Sequence, residues 1–313
     1  MAKQIYEHME DFFSRHDGKE KFELGLNHID CMVEDIGKGK IIVVAGRSID
    51  GRDEMLYTLM KNLTIDKKIP SLILNLAKTE DTFYSQFMSN VGNISFEDLE
   101  EKDIINEGEA LKNAKLYIDF PTDRSTENLE SIIREYASKG VELVFIDLFQ
   151  AIDYKGNMSW FNEEELIYFC ERSSKRLHAL AKDLDVNIII GAALSSLADE
   201  REGIHQPIPQ YKDLTVAGRL DEFSDLILGV FVPYAHQIFF DGVNELRDVI
   251  YVSILKNRIN TKMGKFTMTY DFYHNRVVDD KEFNRLALEE LKKNCKSFNE
   301  LVVNLDLRQT EEI

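Results

Sequence analysis

The sequence predicts an α/β fold: a mainly parallel central sheet with helices on both faces and antiparallel strands at one edge. Three observations carry this. From residue 41 onward, apolar runs alternate with helix-period segments, as strand–helix–strand units require. The runs at 41–45, 71–76, 141–146 and 186–194 are apolar but for Ser71, Asn75, Glu142 and Asn187, which marks strands buried on both faces. The runs at 226–231, 249–255 and 266–270 follow without room for crossover helices, so they are expected to pair antiparallel.

Composition narrows the function. The 313-residue chain is 44% hydrophobic, enough for a substantial core. Its formal net charge of −18 disfavours a free nucleic-acid binder, which usually carries a basic face. Cys31, Cys170 and Cys295 are widely spaced and odd in number, so they read as reduced thiols of a cytoplasmic protein. No apolar run is long enough to span a membrane, and no apolar leader opens the chain.

Residues 1–22 are expected to form an amphipathic helix with Ile5, Met9, Phe12 and Phe13 on one side. It packs on its own domain or docks on a neighbouring subunit. Residues 23–280 form the core. Within it, helices are expected at 79–91, 126–139 (capped by Ser125 or Thr126) and 162–184, with a short strand at 115–120. The acidic stretch 92–113 reads as helical. Residues 281–313 form a helical extension with a charged tail.

The core is organised around 41–53, Ile-Ile-Val-Val-Ala-Gly-Arg-Ser-Ile-Asp-Gly-Arg-Asp. A buried strand enters a turn bounded by Gly46 and Gly51, and Met55, Leu56, Leu59, Met60 and Leu63 follow at helical spacing. The pattern is that of the phosphate-binding loop, G-x-x-x-x-G-K-[ST]. Arg52 stands in place of the lysine and Asp53 in place of the Ser or Thr. Gly46, Arg47, Ser48, Gly51, Arg52 and Asp53 are the candidate nucleotide contacts. A guanidinium fork does not replace a compact ammonium. Asp50, Asp53 and Glu54 outnumber Arg47 and Arg52, so a triphosphate would meet repulsion. Asp53 is expected to occupy the anion site at the helix N-terminus itself.

In such folds ligands bind beyond the carboxyl ends of the strands. One further end is Leu143-Val144-Phe145-Ile146-Asp147, a Walker B pattern whose aspartate would meet a magnesium shell. Another is Leu194-Ser195-Ser196, where hydroxyls would sense a γ-phosphate.

The order of these pieces, with Asn75-Leu76-Ala77, Leu116-Tyr117-Ile118-Asp119, Phe145-Ile146-Asp147-Leu148-Phe149-Gln150, Ala193-Leu194-Ser195, Asp213-Leu214 and Lys256-Asn257-Arg258, resembles the motor domain of DnaB-type hexameric replicative helicases. The resemblance implies a RecA-like P-loop NTPase fold, ATP and magnesium held between subunits of a ring, replication proteins as partners, and single-stranded DNA threaded through the centre. It gives Asp147 the metal-shell role and Gln150 that of the glutamine after it. Lys256 and Arg258 become the basic pair that acts on the neighbouring subunit's γ-phosphate. The 1–22 helix becomes the linker helix, with the amino-terminal primase-binding domain absent.

Several family positions depart from that pattern. The phosphate-loop lysine and threonine are Arg52 and Asp53. The catalytic glutamate falls on Ala77, with Glu80 an imperfect substitute. The glutamine of Leu-Ser-Gln is Ser196, and the arginine expected after Asp213-Leu214 is Thr215. The stretch 196–222, where a DNA-facing loop should be basic, carries Arg201, Lys212 and Arg219 against six acidic residues. Loss of a general base alone costs about 10²–10⁴-fold in rate. The expectation is therefore a helicase homologue impaired in hydrolysis, with ATP and magnesium weakly bound or absent, acting as a binding or regulatory partner in replication or in a mobile element. It is expected to self-associate as a ring or dimer, with DNA binding disfavoured. Two alternatives stand beside it: a divergent active helicase, and a module that holds nucleotide without hydrolysis.

Overall fold

The computed structural model describes residues 21–95, 111–153, 163–194, 208–217 and 220–279. The expected 1–22 helix, the acidic 92–113 stretch beyond residue 95, the 195–207 loop and the 281–313 extension lie outside the described residues or nearly so. Nine strands form one sheet in the order β3-β2-β4-β5-β1-β6-β7-β8-β9. They are β1 (Ile41–Gly46), β2 (Ser71–Asn75), β3 (Leu116–Asp119), β4 (Leu143–Asp147), β5 (Asn187–Ala193), β6 (Leu226–Phe231), β7 (Val249–Asn257), β8 (Lys265–Asp271) and β9 (Arg276–Val278). The pairings from β3 through β6 are parallel, and those from β6 through β9 antiparallel. The expected architecture is thus observed. The short β9 is an addition to it: three residues are too few to show a period.

β1 shows why uniformly apolar runs mark the centre. Ile42 and Val44 face one core, and Ile41, Val43 and Ala45 face the other. Strand side chains alternate between faces, so a strand covered twice must be apolar at every position. The first core takes helices α1 (Asn27–Val33), α2 (Arg52–Met60) and α3 (Glu80–Gly92), through Met32, Leu56 and Phe83 among others. The second takes α4 (Thr126–Ser138), α5 (Glu163–Leu184) and α6 (Leu220–Phe223), through Ile133, Leu177 and Leu220. Ser125 caps α4, its hydroxyl accepting from the Asn128 N–H. Thr79 caps α3 in the same way, through the Thr82 N–H.

The register sets the site. Asn75 lies beside Asp147, and the Leu76 N–H donates to the Asp147 carbonyl at 2.6 Å, so β2 and β4 end together. β1 and β6 leave the sheet on the same side, since both run parallel to them.

At the amino end of the core, the buried Asp30 carboxylate accepts the N–H groups of Leu24 (2.6 Å), Gly25 (2.8 Å) and Leu26 (3.0 Å). Asp30→Ala would leave these donors without an acceptor. We expect a loss of about 2–4 kcal/mol, read as a lower urea midpoint with an unchanged slope.

Candidate functional site: a self-paired loop at the strand ends

The 46–53 loop joins β1 to α2 beyond the carboxyl end of β1. Gly51 has a φ of 77°, and a Cβ there would come within 2.7 Å of Ile250 Cδ1, so both backbone and packing require glycine. A Cβ on Gly46 would approach Val230 Cγ2 to 2.6 Å. The turn therefore lies tightly against β6 and β7. Ser48 and Ile49 form its exposed tip.

The charged side chains of the loop are held by protein partners. Asp50 is fully buried; its carboxylate accepts from Arg47 Nε at 2.6 Å and contacts His236 Nε2 at 2.7 Å. Arg47 lies over the Phe231 ring, 5.4 Å from its centroid, and His236 stacks on the same ring at 4.8 Å. These contacts clasp the loop to the exit of β6.

A second set lies at the start of α2. Arg52 donates to Asp53 Oδ1 from Nε at 3.0 Å and from Nη2 at 2.7 Å. Lys78 Nζ lies 3.0 Å from Asp53 Oδ2 and 2.6 Å from Asp147 Oδ2. The chain of charges thus runs Arg52, Asp53, Lys78, Asp147. Asp147 is buried, and its Oδ1 has no hydrogen-bond partner among the described residues. Burial pushes the Asp53 carboxyl up, but the charges of Arg52 and Lys78 outweigh this and hold it below the usual carboxylate range. Burial pulls the Lys78 ammonium down, and Asp147 and Asp53 more than reverse that. Both groups therefore stay ionised at neutral pH. Beside them, burial raises the Glu54 carboxyl, which is bonded to the Tyr270 hydroxyl.

Lys78 is not among the residues that the sequence singles out. It enters because Asn75 forms a side-chain turn at the end of β2. Asn75 Oδ1 accepts the Lys78 N–H at 3.0 Å, and its Nδ2 donates to the Lys78 carbonyl at 3.3 Å. The chain folds back and carries the ammonium over the loop. An Asn at a strand end signals such a turn, but not which carboxylates the following lysine will meet. The repulsion expected from counting loop acids alone is also altered, since Lys78 offsets it from outside the loop.

The other sequence candidates lie elsewhere. Gln150 is fixed by both ends of its amide: Nε2 donates to the Ala193 carbonyl at 3.1 Å, and Oε1 accepts the Ala193 N–H at 2.9 Å. Ala77 and Glu80 are exposed, and Glu80 begins α3. Lys256 and Arg258 are not brought to the loop. Asn257 pairs with Leu226, and the Arg258 N–H bonds the Asp225 carbonyl, while Asp225 Oδ2 accepts the Ile41 N–H. That places them beside the amino end of β1, across the sheet from the loop. Lys256 Nζ donates to the Asp221 carbonyl, and burial, then Arg258, brings its ammonium down to about 8. Ser195 and Ser196 lie outside the described residues. Among the described residues, no cluster of three or more His, Cys, Asp or Glu could hold a metal ion, and no helix is long and apolar enough to cross a membrane.

Asp53 is depressed in the folded state, so its contribution to stability is present above its unfolded value of about 3.9 and fades as the pH falls through the folded one. Asp53→Asn should destabilise the protein by about 1–3 kcal/mol at neutral pH. The gap from wild type should narrow in urea unfolding at about pH 3.

Comparison with known proteins agrees with this architecture. The family model for the DnaB-like helicase C terminal domain matches residues 22–279. The replicative DNA helicase DnaB of Geobacillus stearothermophilus is 22% identical over 285 residues, which is 88% of this chain and 60% of the relative. A probable plasmid replicative DNA helicase of Chlamydia trachomatis is 24% identical over 216 residues, 66% of this chain and 46% of the relative. The chain thus spans about half the length of these relatives. Among solved structures, one ATPase domain superposes with a TM-score of 0.75 at 18% identity, covering 89% of this chain and 99% of that one. A DnaB-like replicative helicase described with its interactions with primase gives 0.72 at 18% identity, covering 89% of this chain and 67% of that one. These structures share the RecA-like helicase ATPase fold. By the extent of the family match, this chain belongs to the DnaB-like helicase C-terminal domain family.

Proposed function

We propose that this chain is a DnaB-like helicase homologue that has lost ATP hydrolysis and acts by binding or regulating partners in the replication of a chromosome or a mobile element. One observation carries this: the Asp53 carboxylate, in the first turn of α2 where the family has a hydroxyl, is held by Arg52 and Lys78. A helix N-terminus that already holds an anion gains little from a second one. The plasmid replication helicases among its relatives support the mobile-element setting.

The residues present do not fit a magnesium–nucleotide complex. The hydroxyl that would meet the metal is a carboxylate bound to Arg52, and the Asp147 oxygen facing it is taken by Lys78. The family's water-activating position is Ala77, which offers no base. Lys256 and Arg258 stand away from their own loop, as a basic pair that works on a neighbouring subunit would. They therefore support self-association as a ring or dimer, in which they hold the interface rather than a reacting phosphate. Replication proteins are the partners we assign, in the cytoplasm, and the charge of −18 weighs against single-stranded DNA.

Calorimetric titration with Mg-ATP, with oligomer mass measured on the same sample, tests this. We expect no saturable heat at millimolar nucleotide and no steady phosphate release. Binding with turnover would restore the active-helicase alternative, and binding without turnover the nucleotide-holding one. The double change Arg52→Lys with Asp53→Thr should tighten nucleotide binding by roughly tenfold or more, the order of a recovered charged hydrogen bond. No gain would mean that the 46–53 loop is not a former phosphate loop.

A further inference from the structure

Two carboxylates from separate elements converge at the carboxyl ends of the strands. Asp147 closes β4 and Asp53 opens α2, and a single cation, Lys78 Nζ, contacts both at 2.6 Å and 3.0 Å. Its surroundings resemble a small ion site more than a surface salt bridge. The lysine side chain is 13% exposed, against 4% for Asp147 and 23% for Asp53. The Tyr57 ring centroid lies 5.3 Å from the ammonium, which therefore rests over the ring face. The Tyr57 hydroxyl donates to Gln86 Oε1 at 2.8 Å, which fixes the ring beside the ammonium. Asn75 fixes the lysine backbone from below. Every part of the arrangement therefore serves to hold one positive charge between two negative ones.

We propose that the Lys78 ammonium is a tethered replacement for a divalent metal ion. It joins the ends of β2 and β4 to the start of α2, and the two carboxylates accept a divalent cation only when Lys78 is removed. A metal would arrive and leave with its nucleotide; an ammonium on the chain does neither. The joint between these elements therefore keeps one state whatever ligands surround it. Its constant charge follows from the two carboxylates, which hold the ammonium above its ordinary range against the effect of burial. The inference rests on the proposal that the loop is filled by its own side chains, and its test uses metal alone, so that the two fail separately.

The test compares thermal midpoints of the full chain in chelator and in millimolar Mn²⁺. Wild type should not respond. Lys78→Met leaves two like charges facing each other, so its midpoint should fall in chelator and recover by about 3 °C or more in Mn²⁺. Adding Asp53→Asn to Lys78→Met removes the repulsion. That double variant should melt above Lys78→Met in chelator and lose the Mn²⁺ response. If Lys78→Met does not fold in chelator, the same comparison is made on refolding yield, which should then depend on Mn²⁺. A Lys78→Met protein indifferent to Mn²⁺ in both midpoint and refolding would overturn the proposal. So would a wild-type midpoint that rises as far as the variant's. Neither result would bear on whether wild type binds ATP, which the calorimetric titration decides by itself.

Discussion

The contact of Lys78 with both Asp53 and Asp147 governs the carboxyl ends of the strands in this protein. Those ends come from β1 by way of its loop, from β2 and from β4, and their carboxylates would repel one another unbridged. Charges this far from water cost several kcal/mol each to desolvate, so they persist only as a closed set. Here Arg52 satisfies one oxygen of Asp53 and Lys78 the other, and Lys78 then reaches Asp147 Oδ2. Removing any member strands its neighbour. That is why the substitutions in the loop and after β2 make physical sense together and not one at a time.

The rest of the fold presents this cluster at the carboxyl ends of the strands. Two-sided burial of β1, β4 and β5 makes a rigid parallel centre, with glycines where the loop must lie against β6 and β7. The clasp of Arg47, Asp50 and His236 fixes the other half of the loop to the exit of β6. Asp50 accepts from both sides and is fully buried. A loop tied at both halves has little freedom to reshape around a phosphate. At the opposite end of the sheet, Lys256 and Arg258 sit with Asp221 and Asp225, remote from their own loop.

Much of the fold is legible in the sequence because burial writes itself into composition. Apolar runs at 41–45, 141–146 and 186–194 announce strands covered on both faces, and the close spacing after residue 226 announces the antiparallel edge. The start of α4 at Ser125 follows from capping chemistry. Asp147 and the loop are legible too, since strand ends and paired glycines are local signals. Contact between distant segments is what escapes. Lys78 stands one residue past Ala77, the position that draws attention as a loss, and nothing local says that its side chain meets Asp147, 69 positions further along the chain. The partnership of Asp50 with His236, 186 positions apart, is hidden for the same reason. Gln150 reads as chemistry by resemblance, and its amide is bound at both ends to the Ala193 backbone.

In the proposed function the protein's own charges fill the 46–53 loop. A crystal structure grown from millimolar Mg-ATP tests it most directly. Lys78 Nζ should still be seated between Asp53 and Asp147, Arg52 should still be paired with Asp53, and the N-terminus of α2 should carry no phosphate density. A phosphate cradled by the 46–53 loop, with Lys78 swung away and a metal ion on Asp147, would contradict it.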